Sequence, residues 1–191
     1  MAGKPPPPAP GTLVLVVGPS GAGKDSVIAY ARARLRGKVV FPRRIVTRAA
    51  ADDGEDHDTV DAAGFDAAVA AGRFALHWRA HGLGYGVPAA IAADLAAGCC
   101  VVVNVSRSVL GEARARFRPL VVVSVTAPAE VILDRLRRRG REAEAEIAGR
   151  LARGGEYAVA GPDLVAIDNS GPLAAAGEAF LGILRARCGA T

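Results

Sequence analysis

A chain of 191 residues is long enough for one domain with a sizeable hydrophobic core. About half of it is hydrophobic, chiefly Ala, Val and Leu, yet no stretch reaches the ~20 apolar residues of a membrane span; a membrane partner is excluded and a cytoplasmic location is expected. The net charge of +5 rests almost wholly on arginine, densest at Arg135, Arg137, Arg138, Arg139 and Arg141. With no aromatic residues interleaved, that density suits a substrate carrying several phosphates and excludes nucleic acid as the expected partner.

The proline run from Met1 to Gly11 reads as a disordered tail, with a single domain following from Thr12 to Thr191. Thr12 to Val17 is an apolar strand, and Val27 to Leu35 a helix. Between them stands Gly18-Pro19-Ser20-Gly21-Ala22-Gly23-Lys24-Asp25-Ser26, the strand–GxxxxGK–helix arrangement of a P-loop. Its glycines let successive backbone N–H groups converge on phosphate oxygens, the helix N-terminus adds its positive end, and Lys24 reaches the outer phosphates. A nucleoside triphosphate is the expected ligand. The residue after the lysine is ordinarily Ser or Thr, whose hydroxyl meets Mg²⁺. Here it is Asp25, which can ligate the same ion or cap the helix that it starts.

Val39 to Val46 reads as a second strand ending in Thr47-Arg48, followed by a polar loop over Asp52 to Asp61. Ala62 to Ala71 is a short helix, Phe74 to Arg79 a strand and His81 to Gly86, with three glycines, a turn. Pro88 opens a helix to about Ala97. Cys99 to Val105 and Leu120 to Val125 are apolar enough for strands buried on both faces of a parallel sheet, with Ser106 to Phe117 helical between them. Pro128 opens a helix through the arginine cluster, and Glu142 to Arg153 is another. Leu164 to Ile167 is a last strand and Leu173 to Arg187 a closing helix. Strands alternating with helices predict an α/β fold with a central parallel sheet of about five strands. Three cysteines, Cys99, Cys100 and Cys188, give an odd total and no metal-ligand spacing; they are expected to pack in the core without a disulfide framework.

In order and spacing these segments resemble the guanylate kinase-like branch of P-loop kinases, and within it the ribose 1,5-bisphosphate phosphokinase family. The resemblance is carried by GPSGAGKDS, RRIVTR (Arg43 to Arg48), GEDH (Gly54 to His57), FALHWRAHGLGYG (Phe74 to Gly86), VVVNVSR (Val101 to Arg107), RLRRRGREAEAEIAGRL (Arg135 to Leu151) and IDNSG (Ile167 to Gly171). It covers nearly the whole chain after the tail. Guanylate kinases place Ser after the P-loop lysine, Glu before the Trp of the acceptor strand and Asp-x-Asp in the VVVNVSR segment. This chain has Asp25, His77, and Asn104 with Ser106 at those places. Carboxylates that would read the edge of guanine are gone, which favours an acceptor made of phosphates and hydroxyls.

The resemblance implies a P-loop kinase that uses ATP and Mg²⁺ to phosphorylate a small phosphorylated sugar. It implies an acceptor-binding region at about 43–90 and a lid at about 135–153. Gly18 to Ser26 would cradle the nucleotide phosphates, Asp25 would hold the metal and Asn169 would contact adenine. Thr47, Arg48, Glu55, His57, Tyr85, Ser106 and Arg107 would hold the acceptor, while Lys24, Arg135, Arg139 and Arg150 would carry the transferring phosphoryl group. Arg137 and Arg138 read as a solvated helix face, His81 as a turn residue and Trp78 as core packing. A guanylate kinase, or a guanylate kinase-like interaction module without activity, would use the same scaffold.

Overall fold

The computed structural model describes residues 9–48, 57–139 and 159–189. Its centre is β1 (Leu13–Val17), five apolar residues all buried. On one side β1 pairs with β7 (Cys100–Asn104), which in turn pairs with β2 (Val39–Val40). On the other side come β8 (Leu120–Thr126) and β9 (Leu164–Asp168). All four pairings are parallel, giving the order β2-β7-β1-β8-β9. Continuous apolar runs in β1, β7 and β8 follow from this position, because both faces of the sheet are covered. One face, with Val14, Val16, Val102 and Val123, packs on α1 (Lys24–Arg34) and α6 (Leu173–Cys188) through Val27, Ile28, Phe180, Leu181 and Leu184. The other, with Leu13, Leu15, Val103 and Val122, packs on Leu76, Trp78, Ile91, Leu110 and Ala113.

Two of those residues, Leu76 and Trp78, come from a second sheet. Its four strands, ordered β4-β3-β6-β5, are β3 (Arg44–Val46), β4 (His57–Thr59), β5 (Phe74–Ala80) and β6 (Leu83–Pro88). Helices α2 (Ala62–Ala70), α3 (Ile91–Ala96), α4 (Leu110–Arg116) and α5 (Ala129–Arg139) complete the described elements, with a 3₁₀ turn at Arg107–Val109. Asp61 caps α2, its carboxylate accepting from the Gly64 N–H at 2.7 Å.

Several expectations from sequence change here. The stretch from Val39 to Val46 is two strands in two different sheets, separated at Pro42, which has no N–H to give to a ladder. The supposed turn over His81 to Gly86 is mostly β6; only His81, at φ 52°, and Gly82 turn the chain. Gly84 and Gly86 are strand glycines, because a Cβ on either would sit less than 3.0 Å from the ring of Phe65 or Phe74. Pro88 accordingly ends β6 opposite Phe74, and the helix begins later, at Ile91. Cys100 and Cys188 are joined in a disulfide that ties β7 to the end of α6; Cys99 alone is free among the described residues. A separation of 88 residues puts that pairing beyond any spacing rule. Gly11, counted with the tail, is buried and donates its N–H to Leu95 O at 2.8 Å. Glu142 to Arg153, read as a helix, lies outside the described residues. No helix among them is long and apolar enough to cross a membrane.

Candidate active site

The carboxyl ends of β1, β7 and β9 open on one cleft of about 1510 Å³, where ligands of open parallel sheets bind. Its floor is the loop Gly18 to Gly23 running from β1 into α1, with Lys24, Asp25 and Ser26 in the first turn of the helix. Gly23 is the N-cap residue at φ 86°, a left-handed conformation that glycine adopts without Cβ strain. The Lys24 ammonium donates to Gly18 O and Pro19 O, both at 2.9 Å, and so stands over the loop rather than out in solvent.

The loop is braced from the end of β9. Asn169, only 3% exposed, donates its Nδ2 to Ala22 O at 2.7 Å. Arg135 of α5 in turn donates its Nη2 to Asn169 O at 2.8 Å. Asn169 Oδ1 and Arg135 Nη1 are buried and have no hydrogen-bond partner among the described residues. Buried polar atoms of this kind are ordinarily satisfied, and both residues line the cleft where it meets the loop.

Asp25 does not cap α1, since that helix has Gly23 at its N-cap and no side-chain cap. Its Oδ1 instead accepts a hydrogen bond from Asn104 Nδ2 at 2.8 Å, across from the end of β7. Register accounts for the meeting. Asn104 pairs with Val16 of β1, two residues before the loop begins. A single exposed carboxylate beside a phosphate-binding loop, with the Ser26 hydroxyl next to it, is an oxygen-only donor set that fits Mg²⁺ shared with phosphates and water. No group of three or more His, Cys, Asp or Glu among the described residues could form an all-protein cage.

The opposite wall comes from the second sheet and from the segment after β7. Arg44, Arg48, Trp78, Tyr85, Ser106 and Arg107 all line the cleft. Trp78 and Tyr85 face each other across β5 and β6 and stack, with ring centroids 5.3 Å apart and planes 5° apart; the Arg44 guanidinium lies 6.0 Å from the Tyr85 ring. Ser106 caps the 3₁₀ turn by accepting from Ser108 N–H at 3.3 Å, and its Oγ also accepts from Ser108 Oγ at 2.9 Å. Beyond it Arg114 is clamped, donating to Asp163 Oδ2 at 2.9 Å and to Ala160 O at 2.7 Å.

Of the residues singled out from sequence, the cleft gathers Gly18, Pro19, Ser20, Gly21, Gly23, Lys24, Asp25, Ser26, Arg48, Tyr85, Ser106, Arg107, Arg135 and Asn169. Ala22, within the loop, is fully buried and does not face the cleft. Thr47 and His57 do not line the cleft. Thr47 is occupied with the second sheet, its Oγ1 accepting from Gly84 N–H at 2.7 Å and its own N–H donating to Gly84 O. His57 is buried in β4, where it pairs in register with Arg44. His77 also points away, exposed on the face of β5 opposite Trp78, so the strand presents the Trp78 indole and not the imidazole to the cleft. Arg139 closes α5. Glu55 and Arg150 lie outside the described residues.

No family model matches the chain. Individual relatives do. "Ribose 1,5-bisphosphate phosphokinase PhnN" of Chelativorans sp. (strain BNC1) is 51% identical over 178 residues, 92% of this chain and 85% of the relative. The protein of the same name from Acidiphilium cryptum (strain JF-5) is 51% identical over 93% of this chain and 94% of the relative. The chain belongs to the ribose 1,5-bisphosphate phosphokinase family. Its fold is that of the guanylate kinases: the crystal structure of guanylate kinase from Anaplasma phagocytophilum superposes with a TM-score of 0.68 at 20% identity, covering 95% of this chain and 88% of that one.

Several cleft residues go beyond those assigned to the site from sequence, among them Arg44, Asn104, Arg114 and Arg138, and His81, read as a turn residue, also lines the cleft. Arg44 had a usable signal, since period-two alternation in β3 sets it on the same face as Val46 and near Arg48. Asn104 had one too, as the polar residue that ends an otherwise apolar strand at the sheet's ligand-binding edge. Arg114 and Arg138 sit on helices rich in exposed arginine, and nothing in the local pattern separates them from their neighbours.

Proposed function

We infer that this chain transfers the γ-phosphoryl group of ATP to the 1-phosphate of ribose 1,5-bisphosphate, giving 5-phosphoribosyl 1-diphosphate and ADP. The observation that carries this reading is the charge of the cleft. Among the described residues, Lys24, Arg44, Arg48, Arg107, Arg114, Arg135 and Arg138 line it against one carboxylate, Asp25, and that carboxylate sits at the P-loop rather than on the acceptor wall. Such a wall suits an acceptor made of phosphates and hydroxyls. A guanine ring would need acceptors for its amines, and discrimination by a hydrogen-bonding site collapses when those partners are missing.

An oxygen of the acceptor's 1-phosphate attacks the γ-phosphorus, and the bond from that phosphorus to the β,γ-bridging oxygen breaks, leaving ADP. The nucleophile is already anionic, so no strong base is required; alignment and charge neutralisation do the catalysis. The backbone amides of Gly21 to Ser26 and the Lys24 ammonium hold the β- and γ-phosphates. Asp25, with Ser26 beside it, is the group that would hold Mg²⁺, which when bound neutralises charge on those phosphates. Arg48 and Arg107, helped by Arg44, Tyr85 and Ser106, anchor the acceptor. Thr47 acts at one remove by fixing β3 to β6, and His57 holds a place in the same sheet. Arg135 ties α5 to Asn169, which in turn braces the loop, and Arg135, Arg139, Arg150 and Glu55 take their roles toward the substrates from family resemblance. The localisation that goes with this role is the cytoplasm.

A coupled assay of ADP release tests the reading. Turnover is expected with ribose 1,5-bisphosphate and at most a background rate with GMP. The reverse preference would sink the proposal.

A further inference from the structure

P-loop enzymes commonly hold their metal between two protein groups: the hydroxyl of the residue after the loop lysine and a carboxylate from the end of a neighbouring strand. In this chain the chemistry at the two places is exchanged. The helix position carries a carboxylate, Asp25, and the strand end carries an amide, Asn104. Asn104 Nδ2 lies 2.8 Å from Asp25 Oδ1, the two side chains meet in the cleft, and both line it beside Lys24 and Ser26. A carboxylate only accepts, so Asn104 must meet it through the NH₂ end of its amide. One negative charge is present in either arrangement; only the element that carries it differs.

We propose that Asp25 and Asn104 form one metal-positioning unit in which the metal-binding carboxylate has moved from the strand end to the loop helix, and Asn104 is a positioning residue that orients it. Asp25 stands on an exposed first turn of α1 with several rotamers open to it. The hydrogen bond from Asn104 fixes one oxygen and leaves the other for a metal. Outer-shell partners of this kind hold a carboxylate ligand in the direction that the metal requires, and their loss typically weakens metal binding tenfold to a hundredfold. A strand-end Asp in place of Asn104 would put two carboxylates within contact distance, which like-charge repulsion disfavours. That repulsion accounts for an amide at position 104 once position 25 is acidic. The inference rests on the nucleotide half of the proposed function and not on the identity of the acceptor.

The test measures Mn²⁺ binding by electron paramagnetic resonance, with β,γ-methylene-ATP bound and no acceptor added. Affinity of the same analogue in EDTA is measured alongside, to report on the integrity of the loop without metal. Asn104→Ala should weaken Mn²⁺ binding by about tenfold while leaving the metal-free affinity unchanged. Asp25→Ser should weaken it at least as much. The double exchange Asp25→Ser/Asn104→Asp restores one carboxylate and one hydroxyl, and should bring Mn²⁺ binding back to within about threefold of the natural chain. The proposal is overturned if Asn104→Ala binds Mn²⁺ normally, or if the double exchange is as weak as Asp25→Ser alone. It is equally overturned if the metal-free affinity of Asn104→Ala falls in step with its Mn²⁺ affinity, the mark of a merely structural residue. Because no acceptor is present, failure here leaves the acceptor assignment standing, and an unexpected acceptor would leave this pair standing.

Discussion

Replacing Asn169 with alanine separates two roles that one residue could have. The resemblance to guanylate kinases implies contact with adenine, whereas the structure shows the side chain donating to the P-loop carbonyl of Ala22 at 2.7 Å, with Asn169 3% and Ala22 0% exposed. Truncation loses a net hydrogen bond and leaves a buried carbonyl without a donor, together about 2 kcal/mol. Asn169 Oδ1 already lacks a partner among the described residues, so removing it costs little more. The Arg135 contact goes to the main-chain oxygen of Asn169 and survives the change. For a domain of this size about 2 kcal/mol corresponds to a melting point lower by roughly 4–8 °C. Thermal melts of Asn169→Ala without nucleotide, followed by titration with ADP and GDP, are the assay. A brace predicts the drop in melting point with no ligand present, and a loss of affinity common to both bases of at most about thirtyfold. An unchanged melting point, with the affinity loss confined to ADP, would refute the brace and return Asn169 to base recognition alone.

Further outcomes are expected elsewhere in the cleft. Lys24→Ala should lower kcat/KM by roughly 10³-fold, about 4 kcal/mol of stabilisation lost from the transferring phosphoryl group, with the fold intact by circular dichroism. Arg107→Ala should raise KM for the acceptor about tenfold to a hundredfold in steady-state kinetics while KM for ATP stays put, as befits a charge-assisted contact to one substrate. For Asp163, burial pushes the carboxyl up, but the hydrogen bond from Arg114, its own backbone and the charges of Arg114 and Arg118 outweigh it and hold it below the usual carboxylate range. A lowered folded value means stability that is present above the ordinary value of 3.8 and lost as pH falls through the folded one. Asp163→Asn should therefore be less stable than the natural chain in urea at pH 7, with the difference shrinking below pH 3.8; a constant difference across that range would count against the ion pair as its source.

The parallel core was readable because its physics is local. Continuous valine runs at Val101 to Val103 and Val121 to Val123 are what a strand covered on both faces requires, and the glycine loop between β1 and α1 has the spacing that a phosphate cradle demands. The acceptor sheet was harder because its strands are short and their signals point elsewhere. Gly84 and Gly86 look like turn residues in sequence, yet they are glycine to make room for Phe65 and Phe74, rings brought in from well upstream in the chain. Pro88 looks like a helix start and is a strand end. In the site itself the loop was legible residue by residue, while the wall facing it was legible only in part. One place along β5 decides whether His77 or Trp78 meets the cleft, and only pairing in register with Tyr85 determines that. The bond between Asp25 and Asn104 joins residues 79 apart, so chain-local patterns could name each of them but not their meeting.

Phosphorus NMR of the product tests the central claim most directly. The purified protein is incubated with Mg²⁺ and ATP, together with ribose 1,5-bisphosphate in one tube and GMP in another. The account predicts a new diphosphate pair attached to C1 of the sugar, growing as ATP is converted to ADP, and no GDP in the second tube. GDP without a sugar diphosphate would contradict it and show that the cleft reads guanine without carboxylates on its acceptor wall.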